Sequence, residues 1–351
     1  MSLPDDSPHT PSLFRWSPYS IKRTMFSWLL LITVVYAVQP PPSYRPFIVN
    51  NFDLNDYHSH NTILRFLNSI QNNRSRVRSL GLSSEQRHIP IVKISALDTT
   101  RPPVEVFIDA GFHAREWISV ATALRLIYNL SRTNDWPSNV NIYVVPVANP
   151  DGYEYTRTFD RDWRNTRSIL APNFRNCRGV DANRNFPFHW AGQGTSNDPC
   201  SEIYHGPRPL SEPEARVVAQ FLSKHANTLR AYISLHSYHN AILVPFGYRS
   251  NARPRDYDEL MWTALDMTRA MNSLYGNNYT AINSAQLYPA AGCSDDYAKS
   301  LGIKYVYTME LTTGEFNRQY VGFETPRELI QQTYDEVRAA LLTLLLKVSE
   351  L

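Results

Sequence analysis

The ten residues Asp109-Ala-Gly-Phe-His-Ala-Arg-Glu-Trp-Ile118 place a histidine and a glutamate three apart at the exit of a predicted strand. Upstream, Val104 to Ala110 is a β-branched and aromatic run bounded by Pro102-Pro103, and residues 118–130 carry apolar side chains at helical spacing. The pair therefore sits in a strand-to-helix loop. A neutral imidazole and a carboxylate make up half of a catalytic zinc site, which needs three protein ligands and one position left open to water. A lone His-x-x-Glu arises often by chance and then describes only a solvated loop, so its weight depends on partners elsewhere in the chain.

Two further strands supply such partners. Residues 230–236 read as a strand ending in His236, and residues 304–311 as a strand ending at Glu310-Leu311. His113 with Glu116, His236 and Glu310 thus lie near the C-terminal ends of three strands, the rim where open α/β sheets bind ligands. Each residue alone has a bland reading as a satisfied polar group or a solvated strand edge; their convergence argues for a site.

Around these strands, residues 58–71 form an amphipathic helix with Ile63, Leu64, Phe66, Leu67 and Ile70 on its apolar face. Strands follow at 89–95 and 140–147, the second closed by the turn sequence Asn149-Pro-Asp-Gly152. Residues 153–209 are loop-rich, and loops of that length inside a compact domain are usually functional. A helix over 212–226 is expected after a Ser211 cap with Glu214 three residues on, and a last helix over 324–346 is opened by Thr325-Pro326. Strands alternating with helices predict an α/β sheet covered on both faces.

At 351 residues the chain can hold one large domain of about 300 residues. A net charge of +3 gives no ground for a nucleic-acid partner. The Arg-rich run 157–184 is interleaved with Asp160, Asp162 and Asp181, which reads either as a salt-bridged surface or as an anion-binding wall. The apolar run 25–38 follows Lys22-Arg23 and precedes Pro40-Pro41-Pro42; it is short for a membrane span and suits a signal-peptide core with Val35-Tyr-Ala37 as cleavage site. The expectation is secretion, with no membrane association unless that signal is retained as an anchor. Sequons at Asn73, Asn129 and Asn278 agree with that compartment. Cys177 and Cys200 would close a short surface loop as a disulfide, leaving Cys293 a free thiol in a tight Gly/Ala/Ser turn.

The chain resembles the pancreatic-type zinc metallocarboxypeptidases from about Tyr57 onward, closest to the B type. The motifs are His-Ala-Arg-Glu-Trp at 113–117, Trp-Arg-Asn-Thr-Arg at 163–167, Val-Asp-Ala-Asn-Arg-Asn-Phe at 180–186 and Tyr-His-Gly at 204–206. They continue with Leu-His-Ser-Tyr at 235–238, Tyr-Pro-Ala-Ala-Gly at 288–292 and Met-Glu-Leu at 309–311. The resemblance implies a mixed, mostly parallel twisted sheet between helices, and one zinc ion per chain held by His113, Glu116 and His236. It implies hydrolysis at the free C-terminus of peptides and proteins, with Glu310 as general base to the zinc-bound water and Arg164 stabilising the oxyanion. Asn183, Arg184 and Tyr288 match residues that grip the terminal carboxylate; Arg115, Ser237, Tyr238 and Gly247 match flanking substrate positions. Asp295 falls where B-type members carry an acid at the floor of the side-chain pocket, so cleavage after C-terminal Lys or Arg is expected.

The chain departs from that pattern in places. The domain division expected is a lead and signal or anchor over 1–38, a short linker over 39–56 with no activation segment, and a catalytic domain over 57–351. Cys293 stands where the family usually has Gly, Asn283 replaces a smaller residue near the pocket, and 312–320 is longer than usual and could reshape the rim. A catalytically silent secreted protein using the fold to bind peptides is the alternative reading, and a monomer is expected.

Overall fold

In the computed structural model, residues 46–98, 100, 102–170, 177–312 and 314–351 are described. The lead and hydrophobic run at 1–38 lie outside them, as does the first part of the linker, 39–45; the described residues belong to one unit, Pro41–Leu351. Among the described residues no helix is long and apolar enough to cross a membrane.

Two short strands, β1 (Ile48–Val49) and β2 (Phe52–Asp53), pair ahead of helix α1 (His60–Ser69). Ser59 caps α1 by accepting from the Thr62 amide, and Ile63, Phe66 and Leu67 form its buried stripe. Then come β3 (Ser75–Leu82), β4 (His88–Ile94), β5 (Val104–Ala110), α2 (Trp117–Arg132), β6 (Val140–Val145) and α3 (Pro150–Thr158). After a long irregular stretch follow α4 (Pro213–His225), β7 (Leu229–Ser237), β8 (Ala241–Val244), α5 (Tyr257–Tyr275), β9 (Thr280–Asn283) and the short α6 (Ser284–Leu287). The chain ends with α7 (Ser294–Ser300), β10 (Tyr305–Leu311), the hairpin β11 (Glu315–Phe316) and β12 (Gln319–Tyr320), and α8 (Ile330–Ser349).

The main sheet runs β3-β4-β6-β5-β7-β10-β8-β9. The pairs β5–β6, β5–β7, β7–β10 and β8–β9 are parallel, the other three antiparallel, so the expected mixed, mostly parallel α/β sheet is what forms. Alternation divides its buried side chains between two cores. Val106, Ile108, Ala231, Ile233 and Leu235 pack under α1, α2, α5 and α8. Phe107 and Tyr232 face the smaller core under α4 and α7. This is why the middles of β5 and β7, Val106–Ile108 and Ala231–Ile233, read as continuous apolar runs rather than alternating with polar residues.

Several expectations need correction. Asn149-Pro-Asp-Gly152 is the start of α3 rather than a turn: Asn149 Oδ1 accepts from the Gly152 amide and Pro150 takes the first helical position. The same residue types begin turns and helices, so local sequence did not separate them. The α4 cap is Glu212 and makes no side-chain cap bond; Ser211 Oγ donates to Glu212 Oε1 instead, and Glu214 is drawn away to accept from Ser84. Cys293 is the N-cap of α7, the tight turn being made by Gly292 at φ +73°, where an added Cβ would meet the Arg184 carbonyl oxygen at 2.5 Å. Asn283 donates to the carbonyls of Val244 and Phe246 and caps α6, holding a corner rather than lining the pocket. Of the sequons, Asn73 and Asn278 are exposed, whereas Asn129 lies within α2 and donates to the Arg125 carbonyl.

Asn149 also donates to the carbonyls of Phe112 and Asn165, at 3.1 and 3.0 Å, tying the loop that carries His113 to the start of α3. Asn149→Ala removes a cap and orphans two buried carbonyls, so it should lower stability by about 2–4 kcal/mol. A fall in the urea midpoint at constant slope checks this.

Candidate active site

Strands β5, β7 and β10 are neighbours, and their register brings their C-terminal ends together: Asp109 lies opposite Ser234, and His236 opposite Glu310. The chain leaves β5 through Gly111, whose φ of +71° and close approach to Val120 exclude a side chain. That turn delivers His113 and Glu116 beside His236. Glu116 is the N-cap of α2 but makes no cap bond, because its carboxylate faces inward to the two histidines.

His113 Nδ1 is 2.7 Å from Glu116 Oε1, His236 Nδ1 is 3.0 Å from Glu116 Oε2, and the two imidazole Nδ1 atoms are 3.1 Å apart. All three residues are buried. Two imidazole nitrogens and a carboxylate converging on one point supply three of the four ligand positions of a divalent ion such as zinc. The ligand atoms lie within 4.8 Å of one another, and no other such group of His, Cys, Asp and Glu occurs among the described residues.

A second layer holds these rings. His113 Nε2 lies 3.2 Å from Asp181 Oδ1, and Arg164 donates to Asp181 Oδ2 through Nε and Nη2 at 2.9 and 2.8 Å. His236 Nε2 lies 3.0 Å from Ser234 Oγ, which with the Tyr232 hydroxyl donates to Asp109. Burial opposes the charge on Glu116, yet the two histidines hold its carboxyl well below the usual range; burial likewise opposes Asp181, and Arg164 and His113 overcome it. Burial pushes Asp109 up to about 6 despite its two donors.

Glu310 opens onto a cavity of about 410 Å³ shared with His113, Asn183, Arg184, Tyr288, Gly247 and Asp295. Burial raises the Glu310 carboxyl to about 7, even though the charge of His236 acts to lower it. Arg184 is buried and fixed by donation to the Gly194 and Asn183 carbonyls and to Cys293 Sγ, while Tyr288, 50% exposed, stands at the mouth. A larger cavity of about 910 Å³ beside the disulfide shares only Arg164 with this site and holds neither histidine nor Glu310.

The other expected residues are placed less centrally. Ser237 donates its amide to Glu116 Oε2, but its hydroxyl is buried outside the cavity. Arg115 is held at the rim by Glu202 and lies over the Phe323 ring at 4.2 Å. Tyr238 hydrogen-bonds the Tyr320 hydroxyl of the β11–β12 hairpin, and neither residue lines the cavity. Cys177 and Cys200 are disulfide-bonded and Cys293 is a buried free thiol. Within the Arg-rich run, Arg164 and Arg184 are buried in the site, while Arg161 and Arg167 stack on Trp117 and Tyr155.

The model of the zinc carboxypeptidase family matches residues 61–340. The chain belongs to that family. Carboxypeptidase B of Astacus astacus is 38% identical over 81% of this chain and 94% of its own length. Carboxypeptidase B of Rattus norvegicus is 39% identical over 74% of this chain, which spans only 63% of the rat protein. Carboxypeptidase A4 of Mus musculus is 38% identical over 84% of this chain and 71% of its own. Among solved structures, bovine thrombin-activatable fibrinolysis inhibitor in complex with tick carboxypeptidase inhibitor superposes with a TM-score of 0.78 at 36% identity, covering 85% of this chain and 99% of that one. Zinc is thus the metal of this zinc carboxypeptidase, and its two-nitrogen, one-carboxylate cluster has the donor chemistry zinc takes.

Sequence reasoning missed Asp109, Ser234 and Thr308 as supporting residues. Strand alternation was the available signal: Ser234 and Thr308 each lie two residues before a site residue and so share its face. Asp181→Asn, which keeps shape but weakens the hold on His113, should lower zinc affinity about 10–100-fold in chelator competition.

Proposed function

We propose that this chain is a secreted exopeptidase that hydrolyses the C-terminal peptide bond of peptides and proteins, preferring Lys or Arg at the terminus. The preference is carried by one observation. Asp295 is 5% exposed, and its carboxylate accepts from the Thr308 and Ser284 hydroxyls and the Asp296 amide, with no hydrogen bond from a cation among the described residues. Burial raises its carboxyl above the ordinary range. A substrate Lys or Arg entering the cavity would supply the missing positive charge, whereas an apolar side chain would leave a desolvated carboxylate beside it. Relatives named carboxypeptidase B and A match at similar identity, so the preference rests on this residue.

His113, Glu116 and His236 would hold the zinc ion. Bound there, zinc supplies Lewis acidity to the scissile carbonyl and to an adjacent water. Glu310 takes a proton from the attacking water and delivers it to the leaving amine, a role that needs its carboxylate ionised at rest. Arg164, clamped by Asp181 through Nε and Nη2, keeps Nη1 outside that pair to meet the negative charge that develops on the carbonyl oxygen. Arg184, Asn183 and Tyr288 receive the terminal carboxylate, which restricts cleavage to chain ends. Arg115, Ser237, Tyr238 and Gly247 flank the bound peptide.

Blocked dipeptides ending in Arg and in Phe, assayed with and without a zinc chelator, test the reading. Arg should be released at least about tenfold faster, chelation should abolish both reactions, and Asp295→Ile should reverse the order. Zinc-loaded, folded protein that binds peptides but releases neither residue would establish the silent binding reading instead.

Glu310→Gln should lower kcat about 10²–10⁴-fold while zinc stays bound. Because the base must be ionised, kcat/KM in the wild-type enzyme should rise with pH and level off above an acid limb at or below about 7, the positive ion lowering the carboxyl from its buried value. A pH profile whose acid limb survives in the Gln variant would remove Glu310 from that role.

A further inference from the structure

A separate cavity of about 340 Å³ lies beside the exit of β10, lined by Asn240, Asn277, Thr312, Glu315, Gln332 and Glu336 among others. Its polar lining is made of amides, hydroxyls and two carboxylates, and no Lys, Arg or His lines it among the described residues. Four segments meet there, one of them the α5–β9 connection that carries Asn277. Asn240 precedes β8 and donates its amide to the Thr312 carbonyl at 2.8 Å, Thr312 follows β10, and Glu336 projects from α8.

Asn240 is 6% exposed, and its Nδ2 donates to the Asn277 carbonyl while its Oδ1 has no donor. Thr312 Oγ1 is likewise buried and without a partner. Both residues hold positive φ, +48° and +59°, a conformation that a threonine in particular adopts only when its surroundings impose it. Glu336 is 1% exposed and accepts from Asn277 Nδ2 at 2.6 Å. Burial pushes its carboxyl up to about 7 although Tyr279, Asn277 and Gln332 donate to it, and among the described residues no cation offsets that burial. Water could meet the lone pairs of Asn240 and Thr312 but would bring no positive charge to Glu336, whose partners among the described residues are neutral donors. A hard cation meets all three requirements with the oxygen ligands present.

We propose that this cavity binds a hard divalent cation of the Ca²⁺ class, with Glu336, Asn240 Oδ1 and Thr312 Oγ1 as protein ligands and Glu315 at its mouth. An irregular mixture of carboxylate, amide and hydroxyl suits Ca²⁺, which accepts about six to eight oxygens flexibly, better than Mg²⁺, which demands a near-octahedral shell. Zinc belongs to the nitrogen-containing cluster instead. Thr312 stands two residues beyond Glu310, so the bound ion braces the exit of the strand that carries the catalytic base. The site does not depend on the hydrolytic reading, and a protein without peptidase activity would test it equally.

The experiment uses full-length, zinc-loaded protein. Tb³⁺ emission sensitised by tyrosine excitation is titrated and then displaced with Ca²⁺, and Tm is measured with and without Ca²⁺. Tyr279, hydrogen-bonded to Glu336, is the nearby sensitiser. One Ca²⁺-displaceable Tb³⁺ site and a Tm that rises with Ca²⁺ are expected. Glu336→Gln should weaken binding at least about tenfold, and Asn240→Asp, adding a carboxylate at nearly constant volume, should tighten it about tenfold. Should Glu336→Gln fail to fold, Asn240→Asp and Thr312→Val decide by their opposite signs. A wild-type protein with no displaceable Tb³⁺ and no Ca²⁺ effect on Tm would show a cavity that holds water only and overturn the proposal. Binding unchanged by every one of these substitutions would overturn it as well.

Discussion

The parallel pairing of β5, β7 and β10 in one register is the constraint on which the site depends. It sets Ser234 between Asp109 and Thr308, and His236 beside Glu310, before any loop is considered. A slip of one residue in β7 would turn Ser234 and His236 to the opposite face and bury Leu235 in their place. The apolar residues of alternate positions, packed into two separate cores, hold that register. Packing far from the chemistry therefore positions the metal cluster.

Buried charge is the second organising feature. The cluster of His113, Glu116 and His236 is surrounded by carboxylates that each have defined donors: Asp181 takes Arg164, and Asp109 takes Ser234 and Tyr232. Asp296, next to Asp295, accepts from the amides of Gly247 and Tyr248 and so fixes the loop that forms one wall of the pocket. Adjacent aspartates thus serve different ends. One binds backbone and shapes the wall, while the other keeps only hydroxyl and local amide donors, the feature on which the proposed preference for Lys or Arg rests. Glu336 repeats the second situation at another place in the molecule.

The strands and helices with strong periodicity were legible. Val104–Ala110 has the bounds expected for it, and the helices beginning near His60 and Trp117 differ from expectation by a residue or two at each end. Among the elements that passed unread were β3, β8, β9, α5 and α7. Each mixes exposed and buried positions, or is too short to establish a period, and gains its form from neighbours across the sheet. The start of α3 was read as a turn because Asn-Pro-Asp serves both purposes, and only the carbonyls of Phe112 and Asn165 waiting for the Asn149 amide decide between them.

The sequence by itself determined the ligand types, the α/β class and the identity of the residues at three strand ends, because these follow from local periodicity and from motifs of contiguous residues. Tertiary structure alone decided the order of those strands in the sheet, the turn of Glu116 away from capping and toward two histidines, and the chain from His236 through Ser234 to Asp109. It also decided that Arg115 is held at the rim and that Asp295 and Glu336 are buried without a cationic hydrogen-bond partner among the described residues. The physical reason is common to all of these. A side chain's charge state and partners depend on what burial removes and on which distant segments arrive beside it, and neither is encoded within the few residues on either side.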